Sequence, residues 1–362
     1  MNRRQFLSHT TASSIVGAAY LTSRKLAFGS QQSASKVRVG VIGTKHPHAA
    51  GKLAAVRDLD DVFDLVGVVE PNAGQRKVCE SMPEYKGVSW LDEEQLFATT
   101  GLQAVVVETE FSDLLPTAAQ GVAHGLFVHL DKPPGRSLDK LAKLLADAQR
   151  RDVYVQMGYM LRYNPAFELC FRAVRDGCLG RIFELNATMS TVRPAERRKE
   201  LSEPKGGAMF DLGSHLVDAV LTVLGPPQKV TPFGRNLYRH QDDVMDNQLA
   251  VFEYPEALAT VRATFVEPFA GERRQFVVCG ENGTLEIRPL EEPPQVRLTL
   301  VKPAGGFEAG RNDVKLPPMA GRYHAQLLDF AAIVRGESKP RWSAEHDLNV
   351  QKTLLKASNL SS

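Results

Sequence analysis

The chain has 362 residues, 43% of them apolar and 24% charged, with a formal net charge of +2 at pH 7. That length exceeds one ordinary core and suits two domains, and the composition excludes a disordered chain, which needs lower hydrophobicity and a larger net charge. So small a charge, with no basic stripe interleaved with aromatics, excludes nucleic acid as a partner; no apolar run reaches the roughly 20 residues that a membrane-spanning helix requires.

The first residues read as an address. Asn2-Arg3-Arg4-Gln5-Phe6-Leu7 precedes a mildly apolar stretch over 10–21 that still holds Ser, Thr and Gly. Paired arginines, Phe-Leu and a weak hydrophobic core look like a twin-arginine export signal spanning 1–30, ending near Ala27-Phe28-Gly29. Asn2 departs from the Ser or Thr that opens the consensus. The expected partner is the twin-arginine translocation machinery, and the expected compartment is the periplasm. That route moves folded proteins, so a cofactor would be loaded beforehand and held tightly.

Residues 37–43 form a short β-branched run ending in Gly43, the pattern of a buried parallel strand. A helix pattern over 47–57 follows, with Pro47 suited to its first position. Strand signals at 63–70, 103–107, 126–130 and 153–157 then alternate with helix signals at 114–123 and 139–150. This rhythm predicts a Rossmann-like, doubly wound parallel sheet over 36–157. In such a sheet the turn after the first strand receives a dinucleotide's pyrophosphate, and the acid after the second strand binds ribose hydroxyls. Gly43, Thr44, Lys45 and His46 occupy that turn, Glu70 supplies the acid, and Thr109 and Lys132 stand beyond later strands.

Glu70 lies 27 residues beyond Gly43, and its charge would repel a 2′-phosphate, which favours NAD; Arg76 and Lys77 keep NADP open. The glycine fingerprint is altered, because Lys45 and His48 replace its second and third glycines. His46 and His48 form an H-x-H pair with no Cys or Asp close by in sequence, so no metal is expected. Both read as solvent-exposed or phosphate-facing.

Three further segments carry a specific resemblance. Val128-His129-Leu130-Asp131-Lys132-Pro133 ends a strand, Gly158-Tyr159-Met160-Leu161-Arg162-Tyr163-Asn164-Pro165 opens the second half, and Gly206-Gly207-Ala208-Met209-Phe210-Asp211-Leu212-Gly213-Ser214-His215-Leu216-Val217-Asp218 follows. Together with the first turn they resemble the glucose-fructose oxidoreductase and inositol dehydrogenase family (Gfo/Idh/MocA). The family carries Glu-Lys-Pro where this chain has Asp131-Lys132-Pro133, and G-G-x-x-x-D-x-G-x-H-x-x-D where the third segment stands. Weaker echoes occur at Asp246-Asn247 and over 280–286.

Read on its own, Pro133 holds Lys132 extended at the carboxyl end of a strand, where ligands of open parallel sheets bind. Asp211 and His215, four apart, would share a helix face, and Asp218 would continue the stripe. Such a face by itself is more often a structural network; the resemblance makes Lys132, Asp211 and His215 the catalytic candidates. His215 would be the acid/base, Lys132 the proton-relay and electrostatic partner, and Asp211 the orienter or a substrate ligand.

Over 158–345 the alternation lapses. Strands at 182–192, 248–254, 257–266, 275–279 and 296–301, with helices at 167–176 and 215–224, predict an α+β domain built on a large, mostly antiparallel sheet. Further helices are expected at 323–335 and 344–359, the C-terminal helix closing the chain over 346–362. Such a sheet leaves a face for a second copy, so a homo-oligomer is expected. Tyr159, Arg162, Tyr163 and Asn164 are the candidate ligands for a hydroxyl-rich substrate; Arg193, the 196–199 run and His240-Gln241-Asp242-Asp243 read as solvated loops. Cys79, Cys170, Cys178 and Cys279 lie far apart and read as buried thiols. The function expected is NAD(P)-dependent oxidation or reduction at a secondary hydroxyl or keto group of a sugar or polyol. Two alternatives are a redox-neutral glycoside-cleaving enzyme with a captive NAD and a non-catalytic carbohydrate-binding relative.

Overall fold

Short β-branched runs with no polar face fold where both faces are covered, and the first half of the chain is built this way. The structure, a computed structural model, describes residues 35–202, 206–291 and 293–360, without the side chains of residues 196, 199, 200 and 202. The export signal expected over 1–30 lies outside them. Strands β1 (Val37–Ile42), β2 (Phe63–Val69), β3 (Trp90–Leu91), β4 (Ala104–Val107), β5 (Phe127–Leu130) and β6 (Val155–Met157) form one parallel sheet. Their order is β3-β2-β1-β4-β5-β6, so the chain reverses its winding between β1 and β4 and opens a crevice there. All four residues of β4 are fully buried. Helices α1 (Ala49–Asp58), α2 (Ala73–Glu80), α3 (Glu93–Phe97), α4 (Leu114–Ala123) and α5 (Leu138–Arg150) connect the strands. In α5, Ser137 caps the Lys140 N–H while Leu141, Leu144, Leu145 and Ala148 face inward at helical spacing.

The second half alternates, as a sheet with one covered face should. Helix α6 (Pro165–Arg175) leads into β7 (Ile182–Ser190), then α7 (Ala195–Ser202) and α8 (Ser214–Leu224). Strands β8 (Lys229–Arg235), β9 (Asn247–Glu253), β10 (Leu258–Thr264), β11 (Gln275–Gly280), β12 (Gly283–Ile287), β13 (Val296–Leu300) and β14 (Gly310–Val314) complete an eight-stranded sheet. Every pairing is antiparallel except β10 with β7. Helices α9 (His324–Val334) and α10 (Ala344–Ala357) return the chain towards the parallel sheet. There Gln351 donates to the Gly135 carbonyl at 2.5 Å.

Among the described residues no helix is long and apolar enough to cross a membrane. The four cysteines are free; Cys79, Cys170 and Cys178 are buried and Cys279 is half-buried. Two expected loops are ordered instead. Arg198, in α7, is buried and forks onto Asp242 at 2.7 and 2.8 Å while reaching Asp246 at 3.0 Å, so neither the 196–199 run nor the 240–243 turn is simply solvated.

Candidate active site

The crevice is assembled from strand ends. Gly43 follows β1 with φ +88°, and a Cβ there would lie 2.6 Å from the Thr109 backbone nitrogen, so only glycine fits. Thr44 donates to Glu70 Oε2 through its backbone N–H (3.1 Å) and its hydroxyl (2.7 Å), and the Asn72 N–H reaches Oε1 at 2.9 Å. Each carboxylate oxygen has two lone pairs, so Oε1 keeps one for an incoming hydroxyl. Past Glu70 a cavity of about 310 Å³ is lined by Arg76, Trp90, Asp92 and Gln95. Lys45 stays exposed at the rim, 3.1 Å from Glu110. A turn that no Cβ could enter, an acid after β2 and a rim cation fit a dinucleotide.

His46 departs from the sequence expectation. It is 4% exposed, its Nε2 sits 3.2 Å from the Lys132 carbonyl and its Nδ1 3.1 Å from Asp131 Oδ2. His48 Nδ1 lies 3.0 Å from the same oxygen. Both histidines therefore face a buried carboxylate that sequence distance hid; His46 is shut off from solvent, while His48 keeps 15% of its side chain exposed. Lys52, on α1, completes the cluster at 2.7 Å from Asp131 and 2.8 Å from Glu108. Its head group occupies the space left by Gly158, where a Cβ would stand 2.9 Å from Nζ.

Burial pushes the Glu108 carboxyl well above the usual carboxylate range, and the Asp131 charge pushes it further. Burial acts the same way on Asp131, but His46 and Lys52 outweigh it and hold that group well below. His46, His48 and Asp131 have the atom types and spacing of a metal site, with ligand atoms within 4.8 Å of one another. The Lys52 ammonium already neutralises the shared oxygen, so a second cation there would meet repulsion at close range.

Lys132 leaves the end of β5 through a cis peptide to Pro133 and is 2% exposed. Its Nζ donates to the Asp211 carbonyl at 2.8 Å and lies 3.6 Å from Asp211 Oδ1. Asp211 sits in a π-helical turn, Met209–Gly213, rather than in the regular helix expected. The widened turn presents the Asp211 carbonyl to both Lys132 and the Ser214 hydroxyl. Just upstream, Gly207 has φ +61°, and a Cβ there would overlap the Met245 carbonyl oxygen. Arg193 is no solvated loop residue, since it binds Asp211 Oδ2 at 2.9 Å. Burial opposes ionisation of Asp211, yet Lys132 and Arg193 bring it down to about 2.

His215, on the first turn of α8, is 2% exposed and packs against Tyr159 at 6.2 Å between ring centroids. Burial first, then the Lys132 charge, pushes its imidazole well below the ordinary value. Burial also lowers Lys132. A neutral imidazole thus faces the same buried space as an ammonium held by a carboxylate, an arrangement able to accept and return a proton.

The four expected substrate ligands turn inward. Arg162 is 1% exposed and binds Asp218 at 2.6 Å and Asp347 at 2.6 Å; Asp218 thereby belongs to this pair and does not extend the Asp211 stripe. Tyr163 donates to Asp329 at 2.9 Å. Asn164 caps the Ala166 N–H and donates to the Leu290 carbonyl at 3.1 Å. Tyr159 lies under the Arg162 guanidinium, 4.9 Å away. The segment after β6 therefore builds the joint to α8 and α10.

Arg162→Met is expected to cost about 3–5 kcal/mol, because two buried carboxylates lose their partner. Thermal melts should show the loss, while KM for an alcohol substrate stays put in protein that remains folded. Sequence reasoning missed Arg322, which acts on both Lys132 and His215. This residue also lines a cavity of about 500 Å³ with Met160, Glu291, Pro317 and Met319, and no motif marks it.

A parallel sheet with a cofactor crevice, joined to a domain of mostly antiparallel sheet whose helix α8 supplies the histidine, defines the NAD(P)-dependent oxidoreductases of two-sheet type. Residues 37–159 match the oxidoreductase family with an NAD-binding Rossmann fold, and residues 167–286 match the GFO/IDH/MocA C-terminal domain. The chain belongs to the Gfo/Idh/MocA family. It is 24% identical over 264 residues to the uncharacterized oxidoreductase YdgJ of Escherichia coli, covering 72% of this chain and 74% of that one. It is 25% identical over 292 residues to the scyllo-inositol 2-dehydrogenase (NAD+) of Bacillus subtilis, covering 76% and 80%. Among solved structures, the aldose-aldose oxidoreductase of Caulobacter crescentus complexed with glycerol superposes with a TM-score of 0.76 at 16% identity, covering 90% of this chain and 98% of that one.

Proposed function

We propose that the protein oxidises a secondary hydroxyl of a sugar or polyol, or reduces the corresponding ketone, with NAD. The observation that carries this reading is the approach of Lys132, from the end of β5, to Asp211 just before His215, at the mouth of the crevice. NAD supplies the hydride acceptor when bound. His215 takes the hydroxyl proton, and Lys132 steadies the developing alkoxide. Asp211 keeps Lys132 in place by accepting from its ammonium. Gly43, Thr44, Lys45, Glu70 and Thr109 hold the dinucleotide. Glu70, with Asp92 beside it in the adenosine-side cavity, disfavours a 2′-phosphate and favours NAD over NADP, against Arg76 in the same cavity, which is paired with Glu80 at 3.0 Å.

The paired arginines support export through the twin-arginine route to the periplasm, with NAD loaded first and retained tightly, and the half-exposed face of the antiparallel sheet supports a homo-oligomer. Small molecules released by acid from the exported, purified protein should contain NAD, read by mass spectrometry. Recovery of no dinucleotide, together with no binding of added NAD or NADP in calorimetry, would sink the proposal.

A further inference from the structure

Two departures of this chain from its family's pattern touch each other. His48 stands where the third fingerprint glycine belongs and Asp131 where Glu precedes Lys-Pro, and His48 Nδ1 lies 3.0 Å from Asp131 Oδ2. Lys52, 2.7 Å from that oxygen, keeps the carboxylate ionised. The imidazole therefore donates through Nδ1 and carries its lone pair on Nε2. Its side chain is 15% exposed, whereas His46 is at 2% and Asp131 at 0%.

On its other side the His48 ring approaches His215, with centroids 6.2 Å apart and planes 36° from parallel; Tyr323 closes the flank at 5.6 Å. His215 Nδ1 is buried and has no hydrogen-bond partner among the described residues. An orphaned polar atom of this kind costs about 1–3 kcal/mol and calls for a partner, which is an acceptor when His215 keeps its Nε2 lone pair for the substrate proton. The nearest imidazole with a free lone pair is His48, and catalytic hydrogen bonds commonly tighten only when a site is loaded.

We propose that His48, oriented by Asp131, is the acceptor behind His215, and that the two imidazoles form a proton relay leading out of the buried site. The relay rests on the dehydrogenase reading. The substrate O–H proton moves to His215 Nε2 as the O–H bond breaks. His215 passes its Nδ1 proton to the His48 Nε2 lone pair, and Asp131 balances the imidazolium that forms. Once product leaves, the proton on His48 Nε2 passes to water entering the emptied site, exchange with that water returns His215 to its Nδ1–H tautomer, and reduction runs the same path backwards. No electrons travel along the relay. Burial pushes both imidazoles below their ordinary value, His48 to about 3, so both rest neutral before turnover. His48 is thus a positioning and relay residue, acting through His215.

The test compares His48→Gly, which restores the family's glycine at a helix start that tolerates it, with His48→Gln. Wild type and variants are assayed with NAD on scyllo-inositol and D-glucose as probes, and NAD binding is measured separately. Expected is a kcat lower by about 10²-fold with KM and NAD affinity unchanged, and rescue of His48→Gly by added imidazole. On the resting protein, labelled with ¹⁵N-histidine, the His215 Nδ1 resonance should shift in both variants. A kcat within about threefold of wild type, a loss that tracks NAD affinity, or an unmoved His215 resonance would each overturn the relay. If the wild type oxidises neither probe, that result counts against the dehydrogenase reading, and the His215 resonance alone decides the contact between the imidazoles.

Discussion

Lys132→Met should lose about 10²–10⁴-fold in kcat while keeping its fold and its affinity for NAD. Methionine keeps an unbranched stem one atom shorter and removes the charge. That charge lies in a buried setting, 3.6 Å from Asp211 Oδ1 and 2.8 Å from the Asp211 carbonyl, where a cation stabilises a developing alkoxide far better than it would in water. Asp211 would keep Arg193 at 2.9 Å, so the π turn should survive and the loss should fall on turnover.

The variant carries a second signature. Lys132 is the largest charge that lowers His215, so its removal raises the imidazole's pKa towards the ordinary value. Oxidation needs His215 neutral, so the acid limb of kcat against pH should move to higher pH in Lys132→Met. A pH–rate profile of the residual activity reads both effects. Wild-type turnover in this variant, or an acid limb that moves down, would remove Lys132 from the chemistry. His215→Asn should show a comparable loss in kcat with no acid limb from this group.

The parallel half of the fold was legible because its strands are buried on both faces and read as unbroken β-branched runs. α4 was expected over 114–123 and lies at Leu114–Ala123. β3 escaped notice because two residues, Trp90–Leu91, carry no period. In the second half, β14 reads Gly-Arg-Asn-Asp-Val and lies at the sheet edge with no buried face to set an alternation. Lys132, Asp211 and His215 were visible through their motifs. The π turn was invisible, since an extra residue in one turn leaves no mark on an already apolar run. Asp131 lies 83 residues from His48, and Asp347 lies 185 residues from Arg162, so no local pattern could show which polar side chains are spent on internal partners. Arg162, Tyr163 and Asn164 looked like substrate ligands for that reason; the partners that consume them come from α8, α9, α10 and the Leu290 loop.

Lys52→Met should destabilise the protein by about 3–5 kcal/mol at neutral pH, the cost of stranding buried carboxylates. Lys52 is fully buried between Asp131 and Glu108. Burial alone would lower its pKa, and the two carboxylates more than reverse that. Without the ammonium, Glu108 and Asp131 repel each other across a dry space, and one must hold a proton in the folded state. Glu108 is the candidate, because burial and the Asp131 charge already raise it well above its ordinary 4.5.

A folded-state pKa raised above the unfolded value contributes stability that is complete below the unfolded pKa and is lost as pH rises through the folded one. The defect in Lys52→Met should therefore shrink as pH falls from neutral towards 4.5, the ordinary Glu value. Asp131 works in the opposite sense: its depressed pKa adds stability above its ordinary 3.8 that is lost only at lower pH, outside this window. Adding Glu108→Leu to Lys52→Met removes one of the two stranded carboxylates and leaves Asp131 to His46 and His48, so it should recover part of the loss, since apolar replacement of a buried pair is often neutral. Urea melts of the single and double variants across this pH range check the sign. A defect that is constant with pH, or one that the double variant deepens, would mean that Lys52 matters for packing and that its charge does not hold the cluster together.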